Sequence, residues 1–142
     1  MLNALYTRPA AFQAYLAASP SLWWAQGAAL GDPEQQFVQN VHGQPARVWL
    51  MLGGAERVGD RGKRDLNNPR VVAHLRRIGG ATPDAAMQLS ERLRRVPGLS
   101  VQYREFPGLG HGPMLPASFH AALHELYGVT DRSAVSYTHL TL

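Results

Sequence analysis

Residues Phe106–Pro116 read FPGLGHGPMLP and set His111 between two glycines. Just before them, Leu99–Phe106 (LSVQYREF) alternates apolar and polar side chains, which predicts a strand. Just after them, Ala117–Tyr127 repeats apolar side chains at helical spacing, which predicts a helix. We therefore expect His111 on a tight loop at the carboxyl end of a strand, where open α/β sheets carry their chemistry. An imidazole in that place can act as a general base; the alternative is a solvent-exposed loop histidine without a catalytic role.

Two earlier stretches are predicted to be strands of the same sheet. Phe12–Ser19 (FQAYLAAS) is a nearly continuous apolar run, typical of a strand buried on both faces of a parallel sheet, and Ala46–Gly53 (ARVWLMLG) is the second such run. Helices are predicted over Met1–Thr7, Asp32–Val41, Arg70–Ile78 and the segment capped by Thr82, whose apolar stripe is Ala86, Leu89, Leu93 and Val96. The alternation predicts an α/β fold with a right-handed parallel sheet between helical layers, in one domain over residues 1–134.

Composition excludes several classes of protein. The 142 residues, 45% hydrophobic, suffice for the core of one domain, and the absence of cysteine excludes disulfides and thiolate chemistry. No apolar run has the length of a membrane span, and no signal-peptide pattern is present. His120 and His124 stand one helical turn apart, but no third ligand has a matching spacing, so no metal site and no cofactor are expected.

The formal net charge of +4 is concentrated in one excursion, residues 57–82, between two predicted elements. Its basic residues, set against Asp60 and Asp65 for a local net charge of +5, are Arg57, Arg61, Lys63, Arg64, Arg70, Arg76 and Arg77. They form either a solvated face or a surface over the sheet edge that suits an anionic, aromatic substrate, because guanidinium groups recognise both features. Nucleic-acid binding is disfavoured, because no recognisable binding module accompanies the charge.

Other candidate residues are predicted at the same edge of the sheet. The turn GGAE (Gly53–Glu56) brings Glu56 to the carboxyl end of the second predicted strand. Trp23 and Trp24 follow the first strand and must point in different directions, so at most one of them is plain core. The other then lines a pocket or covers a substrate ring. The alternative is that both tryptophans serve only as core or as cover for the core, without ligand contact.

Three runs together resemble the C-terminal part of a serine esterase of the α/β-hydrolase fold: FQAYLAASPSLWW, GGAE and REFPGLGHGPMLPASFHAAL. The resemblance is to the group of siderophore esterases that hydrolyse enterobactin, salmochelin and bacillibactin, and it extends to about Gly128. It implies that His111 is the catalytic histidine and that Glu56 is the acid that orients it, with Asp60 or no acid at all as the alternatives. It also implies a nucleophilic serine in a G-x-S-x-G elbow, at the start of the helix whose tail is Met1–Thr7.

No G-x-S-x-G occurs in the 142 residues. We therefore expect a partial α/β-hydrolase fold made of the last three strands with flanking helices, its N-terminal half, nucleophile and oxyanion donors lying ahead of Met1. Ser19 and Ser21 also follow a strand, but no glycine elbow opening a helix surrounds them, which disfavours both as nucleophiles. The last residues, Val135–Leu142 (VSYTHLTL), resemble a translated sequencing adaptor and are left out of the fold.

The sequence thus predicts a serine carboxylic ester hydrolase whose catalytic residues here are His111 and Glu56. A siderophore trilactone is the favoured substrate, bound by Trp23, Trp24 and Arg57, and a simple acyl or feruloyl ester is the next choice. The partner is a small-molecule ester rather than nucleic acid or membrane, and the chain by itself should be inactive. The alternative is a non-catalytic binding protein that kept the scaffold. A cytoplasmic location is favoured over the periplasm, although any signal peptide would lie upstream.

Overall fold

The computed structural model describes residues 1–40, 43, 45–58, 65, 67–78 and 84–128. Within these ranges the strands β1 (Ala14–Ala18), β2 (Ala46–Gly53) and β3 (Leu99–Phe106) form one parallel sheet in the order β1-β2-β3. The register pairs Ala18 with Met51 and Gly53 with Phe106, so the carboxyl ends of all three strands lie at one edge. The predicted parallel α/β sheet is confirmed, and β2 and β3 have the predicted bounds.

The described helices are α1 (Leu2–Thr7), α2 (Asp32–Asn40), α3 (Gly54–Val58), α4 (Pro69–Ile78), α5 (Ala85–Leu93) and α6 (His111–Tyr127). Short 3₁₀ segments cover Pro9–Ala11 and Trp24–Leu30. The helices expected over residues 1–7, 32–41 and 70–78 are therefore present to within one or two residues. Several predicted features lie outside the described residues: the Thr82 cap of α5, Asp60, the 135–142 tail and three of the excursion's seven basic residues, Arg61, Lys63 and Arg64.

The sheet separates two apolar cores because successive side chains of a strand point to opposite faces. On one face Val48 and Leu50 of β2 pack with Leu5 of α1 and with Leu89 and Leu93 of α5. On the other face, Trp49, Met51, Met114 and Ala122 form a second buried cluster with α6. The middle strand is thus buried on both faces, and the layers are helix, sheet, helix.

The prediction of complete burial on both faces is wrong for the first strand. In β1 the side chains of Tyr15 and Ala17 are buried, whereas Ala14, Leu16 and Ala18 are only partly covered. Phe12 precedes the strand and is 57% exposed. β1 lies at an edge of the described sheet. The face that carries Ala14, Leu16 and Ala18 is therefore covered less completely than the same face of the central strand β2.

The sequence also placed the start of the last helix incorrectly. α6 begins at His111 rather than at Ala117, and the connecting loop shrinks to residues 107–110. Pro113 lies in the first turn, where a backbone N–H has no intrahelical partner, so a proline is tolerated there. A composition that predicts a loop is therefore compatible with a helix start, and His111 is the first helical residue.

Candidate active site

Three polar side chains, each following a different strand, meet at the carboxyl edge of the sheet. His111 Nδ1 lies 3.1 Å from Glu56 Oε2, so the structure brings together the two residues that the sequence singled out as catalytic. Ser19 Oγ lies 2.5 Å from the same Glu56 oxygen and 2.8 Å from His111 Nδ1. The site is therefore a compact group of a hydroxyl, a carboxylate and an imidazole.

Glu56 is oriented by the turn that follows β2. Its Oε1 accepts a hydrogen bond from the backbone N–H of Gly53 at 2.9 Å, which leaves Oε2 for the other two side chains. The backbone N–H of Ala55 donates to the carbonyl oxygen of Leu109 at 3.1 Å, so this turn is joined directly to the loop before His111. A Cβ on Gly53 would lie 2.3 Å from the Leu109 carbonyl oxygen, which explains why a glycine is required there.

The orientation of His111 defines which of its nitrogens can work. Nδ1 faces Glu56, and a carboxylate accepts only, so Nδ1 carries the proton of the neutral ring. Nε2 is then the nitrogen with a free lone pair, and the imidazole side chain is 65% exposed against 18% for Glu56. In a serine hydrolase triad the acid likewise contacts one ring nitrogen and leaves the other free to act as base, so the catalytic roles of His111 and Glu56 stay predictions that this geometry fits.

Ser19 does not complete a triad, although the order Ser19, Glu56, His111 is the chain order of α/β-hydrolases. Its O–H donates to Glu56 rather than to Nε2 of the histidine, so the imidazole does not activate it. One oxyanion donor in this fold is the backbone N–H of the residue after the nucleophile, and Pro20 has no N–H. The geometry supports the histidine and acid of a triad whose nucleophile is another residue.

The two tryptophans predicted to bind substrate follow β1 and differ in exposure. Trp24 is 68% exposed, and Trp23 is partly exposed. The residues that follow, Ala25 and Gln26, have positive φ angles of 50° and 58°, a strained backbone of the kind found at ligand-binding segments. The role of both tryptophans in substrate binding stays a prediction.

Arg57 is held by two carboxylates. Its guanidinium forms ion pairs with Glu105 of β3, at 3.0 Å, and with Asp84 just before α5. The hydrogen bond to Glu105, together with the charges of Asp84 and Glu105, raises the pKa of Arg57. In this position Arg57 ties α3 to β3 and to the start of α5. Contact between Arg57 and a substrate stays a prediction.

Among the described residues, no three His, Asp or Glu side chains come together in a way that could hold a metal ion. His120 and His124 both lie on α6, as their spacing predicts. None of the helices in the described ranges is long and apolar enough to cross a bilayer.

Sequence reasoning missed that Ser19 belongs to the site. The sequence presents Ser19 only as a disfavoured nucleophile, although it directly follows a strand at the edge that carries Glu56 and His111. Its position at that strand end was the available signal, because parallel strands place their carboxyl ends at one edge. Which side chain the hydroxyl contacts depends on the register between strands, which no local pattern contains.

Comparison with known proteins finds a siderophore esterase of similar sequence. The chain matches no protein-family profile. It is 31% identical over 127 residues to the ferri-bacillibactin esterase BesA of Bacillus subtilis, an alignment that covers 87% of this chain and 37% of the relative. The chain therefore spans little more than a third of that relative's length. The resemblance to siderophore esterases seen in the sequence is confirmed.

Solved structures show the same fold. The siderophore hydrolase EstA from Aspergillus nidulans superposes with a TM-score of 0.70 at 22% identity, over 88% of this chain and 42% of that protein. The siderophore hydrolase EstB from Aspergillus nidulans gives a TM-score of 0.66 at 26% identity, over 87% and 43% of the two chains. The BES protein from Bacillus cereus gives 0.53 at 27% identity, over 83% and 37%. The predicted partial α/β fold is confirmed.

Proposed function

We propose that this chain, similar in sequence to a siderophore esterase, carries the histidine and the acid of a serine carboxylic ester hydrolase. The observation that supports this most directly is the pairing of His111 Nδ1 with Glu56 Oε2 at the carboxyl edge of a parallel sheet. The same edge is where open α/β folds bind their substrates. The nucleophilic serine is assigned to a part of the protein outside these 142 residues, because they contain no G-x-S-x-G.

In the proposed reaction His111 carries a proton from the serine hydroxyl to the leaving alcohol. Nε2 takes the proton of the serine hydroxyl as its oxygen attacks the ester carbonyl, and it returns the proton to the leaving alcohol. Glu56 holds the ring through Nδ1 and stabilises the imidazolium that forms between these two transfers. Water then attacks the acyl-enzyme with His111 again as base, and His111 passes the water's proton to the serine oxygen as the acid is released.

The proposed substrate is a siderophore ester. The ester class follows from the similarity to a ferri-bacillibactin esterase, since 87% of this chain aligns with it. The exposed indole of Trp24 offers a face on which a flat aromatic ring could stack, and the basic stretch from Arg57 onward suits an anionic ligand. A simple acyl or feruloyl ester and a non-catalytic binding role are the alternatives that the test separates.

The test needs the protein together with its upstream sequence, recovered in frame from the source DNA. We expect a strand followed by G-x-S-x-G within a few residues ahead of Met1. That longer protein should hydrolyse a ferric siderophore trilactone with a higher kcat/KM than p-nitrophenyl acetate. His111→Ala should lower kcat by at least about a thousandfold, because the residues of a triad act as a unit. The matched control His124→Ala removes an imidazole from the exposed surface of the same helix and should leave kcat unchanged.

Several results would contradict the proposal. An upstream sequence that completes the sheet without an elbow serine would favour the binding protein. A preference for simple or feruloyl esters would retain the hydrolase and remove the siderophore. The 142-residue chain by itself should not accelerate ester hydrolysis beyond buffer. If it does so in a manner that His111→Ala abolishes, the nucleophile lies within these residues.

A further inference from the structure

One polar group of the site has no part in the reaction described above, namely the hydroxyl of Ser19. It lies between the other two side chains, 2.5 Å from Glu56 Oε2 and 2.8 Å from His111 Nδ1. Its main chain continues the sheet, because the Ser19 N–H donates to the carbonyl oxygen of Met51 at 2.7 Å. The hydroxyl is therefore fixed relative to β2, the strand that leads directly into the turn carrying Glu56.

The hydrogen-bond pattern assigns each proton in this group. Ser19 has one O–H proton, and it goes to the Glu56 carboxylate, which can only accept. The serine oxygen then presents its lone pairs to His111 Nδ1. Nδ1 faces two acceptors, Oγ of Ser19 and Oε2 of Glu56, so it must be the protonated nitrogen of the neutral ring. If Nδ1 were unprotonated, its lone pair would meet a carboxylate lone pair at 3.1 Å.

The backbone at Ser19, whose hydroxyl contacts Glu56 and His111, has an unfavourable conformation. Its φ of 48° lies in the left-handed region, which is unfavourable for a non-glycine residue. A glycine would adopt this conformation without that cost but would have no hydroxyl. The combination of a strained backbone and two short side-chain contacts is what a residue selected for its hydroxyl would show.

We propose that Ser19 is a positioning residue for the His111–Glu56 pair. Its hydroxyl holds Oε2 of Glu56 in place and accepts from Nδ1–H of His111. This stabilises the tautomer in which the lone pair of Nε2 is available as a base. The inference deepens the proposed function, because a defined Nε2 lone pair is what the esterase reaction requires of His111, but its test does not depend on esterase activity.

The test measures the tautomer of His111 in the 142-residue chain by ¹⁵N NMR of histidine-labelled protein, with His111 assigned from the His111→Ala spectrum. At a pH where the ring is neutral, we expect Nδ1 to have the shift of a protonated nitrogen and Nε2 that of an unprotonated one. In Ser19→Ala the Cβ and its backbone cost remain and only the hydroxyl is lost. The ratio of the Nδ1–H to the Nε2–H tautomer should fall about fivefold, as expected for the loss of one hydrogen bond.

Two further variants separate the hydroxyl from the fold. Ser21→Ala makes the same change two residues along, on an exposed side chain, and should leave the His111 signals unchanged. Ser19→Gly removes both the hydroxyl and the strain, so it should fold at least as well as Ser19→Ala and show the same change of tautomer. Circular dichroism and the signals of His120 and His124 report whether each variant is folded.

The proposal is overturned if His111 in the unmodified chain has its proton on Nε2, a result that needs no variant. It is also overturned if folded Ser19→Ala or Ser19→Gly keeps the tautomer ratio of the unmodified chain. Labelling by a fluorophosphonate provides an independent arm. Modification of Ser19 that requires His111 would make Ser19 the nucleophile, whereas we expect none. A failed esterase assay of the longer protein with a confirmed tautomer shift would contradict the proposed function and leave the role of Ser19 intact.

Discussion

Replacing Gly53 with alanine should move the turn that carries Glu56 away from the loop that leads to His111. The added Cβ would lie 2.3 Å from the carbonyl oxygen of Leu109, a backbone atom that cannot rotate away as a side chain would. An ordinary van der Waals contact needs about 3.4 Å, so the loop before His111 must retreat by about 1 Å. The hydrogen bond from Ala55 N–H to the same oxygen, now 3.1 Å long, would then exceed the range of hydrogen bonding.

The size of the effect follows from these two terms. Overpacking of this kind costs about 1–3 kcal/mol, and the lost backbone hydrogen bond adds about 1 kcal/mol. We therefore expect the free energy of unfolding of Gly53→Ala to fall by about 2–4 kcal/mol in urea titrations followed by tryptophan fluorescence. The ¹⁵N signals of His111 should move as well, since the loop that retreats leads directly into this residue.

Gly112→Ala is the matched control, because it makes the same substitution one residue after His111. A Cβ on Gly112 would meet nothing within 4 Å, and the residue lies in the first turn of α6. Alanine is the better helix former, so the free energy of unfolding should stay the same or rise by up to about 1 kcal/mol. The reasoning is refuted if Gly53→Ala unfolds within about 0.5 kcal/mol of the unmodified chain and leaves the His111 signals in place.

Two further predictions concern groups away from the site. Glu34 is 4% exposed and receives two hydrogen bonds from Arg92, at 2.5 and 2.9 Å, so Arg92→Met should leave a buried carboxylate unpaired and lower the free energy of unfolding by about 3 kcal/mol. The exposed Arg95→Met should change it by less than about 0.5 kcal/mol, and equal losses would contradict the ion-pair argument. Burial, then the hydrogen bond to Glu105 and the charge of that carboxylate, raise the pKa of Tyr103 to about 12 from 10.0. Between these values the folded state keeps a proton that the unfolded state releases, so stability should fall as pH rises from 10 to 12. Tyr103→Phe should make this fall shallower in urea titrations, and a Tyr103 absorbance titration centred near pH 10 would contradict the assignment.

The sequence by itself determined the layers of this protein and two members of its site. The alternation in Leu99–Phe106 predicted β3 with its observed bounds, because a half-buried strand has a local period of two residues. The short apolar run Ala46–Gly53 predicted β2, because a strand buried on both faces is apolar throughout. Parallel strands place their carboxyl ends together, so Glu56 and His111 could be assigned to one edge without coordinates. The start of α6 was missed because glycine and proline predict a loop, while the first helical turn tolerates both.

Only the tertiary structure decided how the side chains at that edge face one another. The contacts of the site join residues 37, 55 and 92 positions apart, and their distances depend on the register of three strands and on the close approach of Gly53 to Leu109. The same register brings Ser19, whose local sequence indicates only its place at a strand end, within hydrogen-bond distance of both Glu56 and His111. Periodicity reports which face a residue takes, but the partner of a hydroxyl is decided by contacts between segments far apart in the chain.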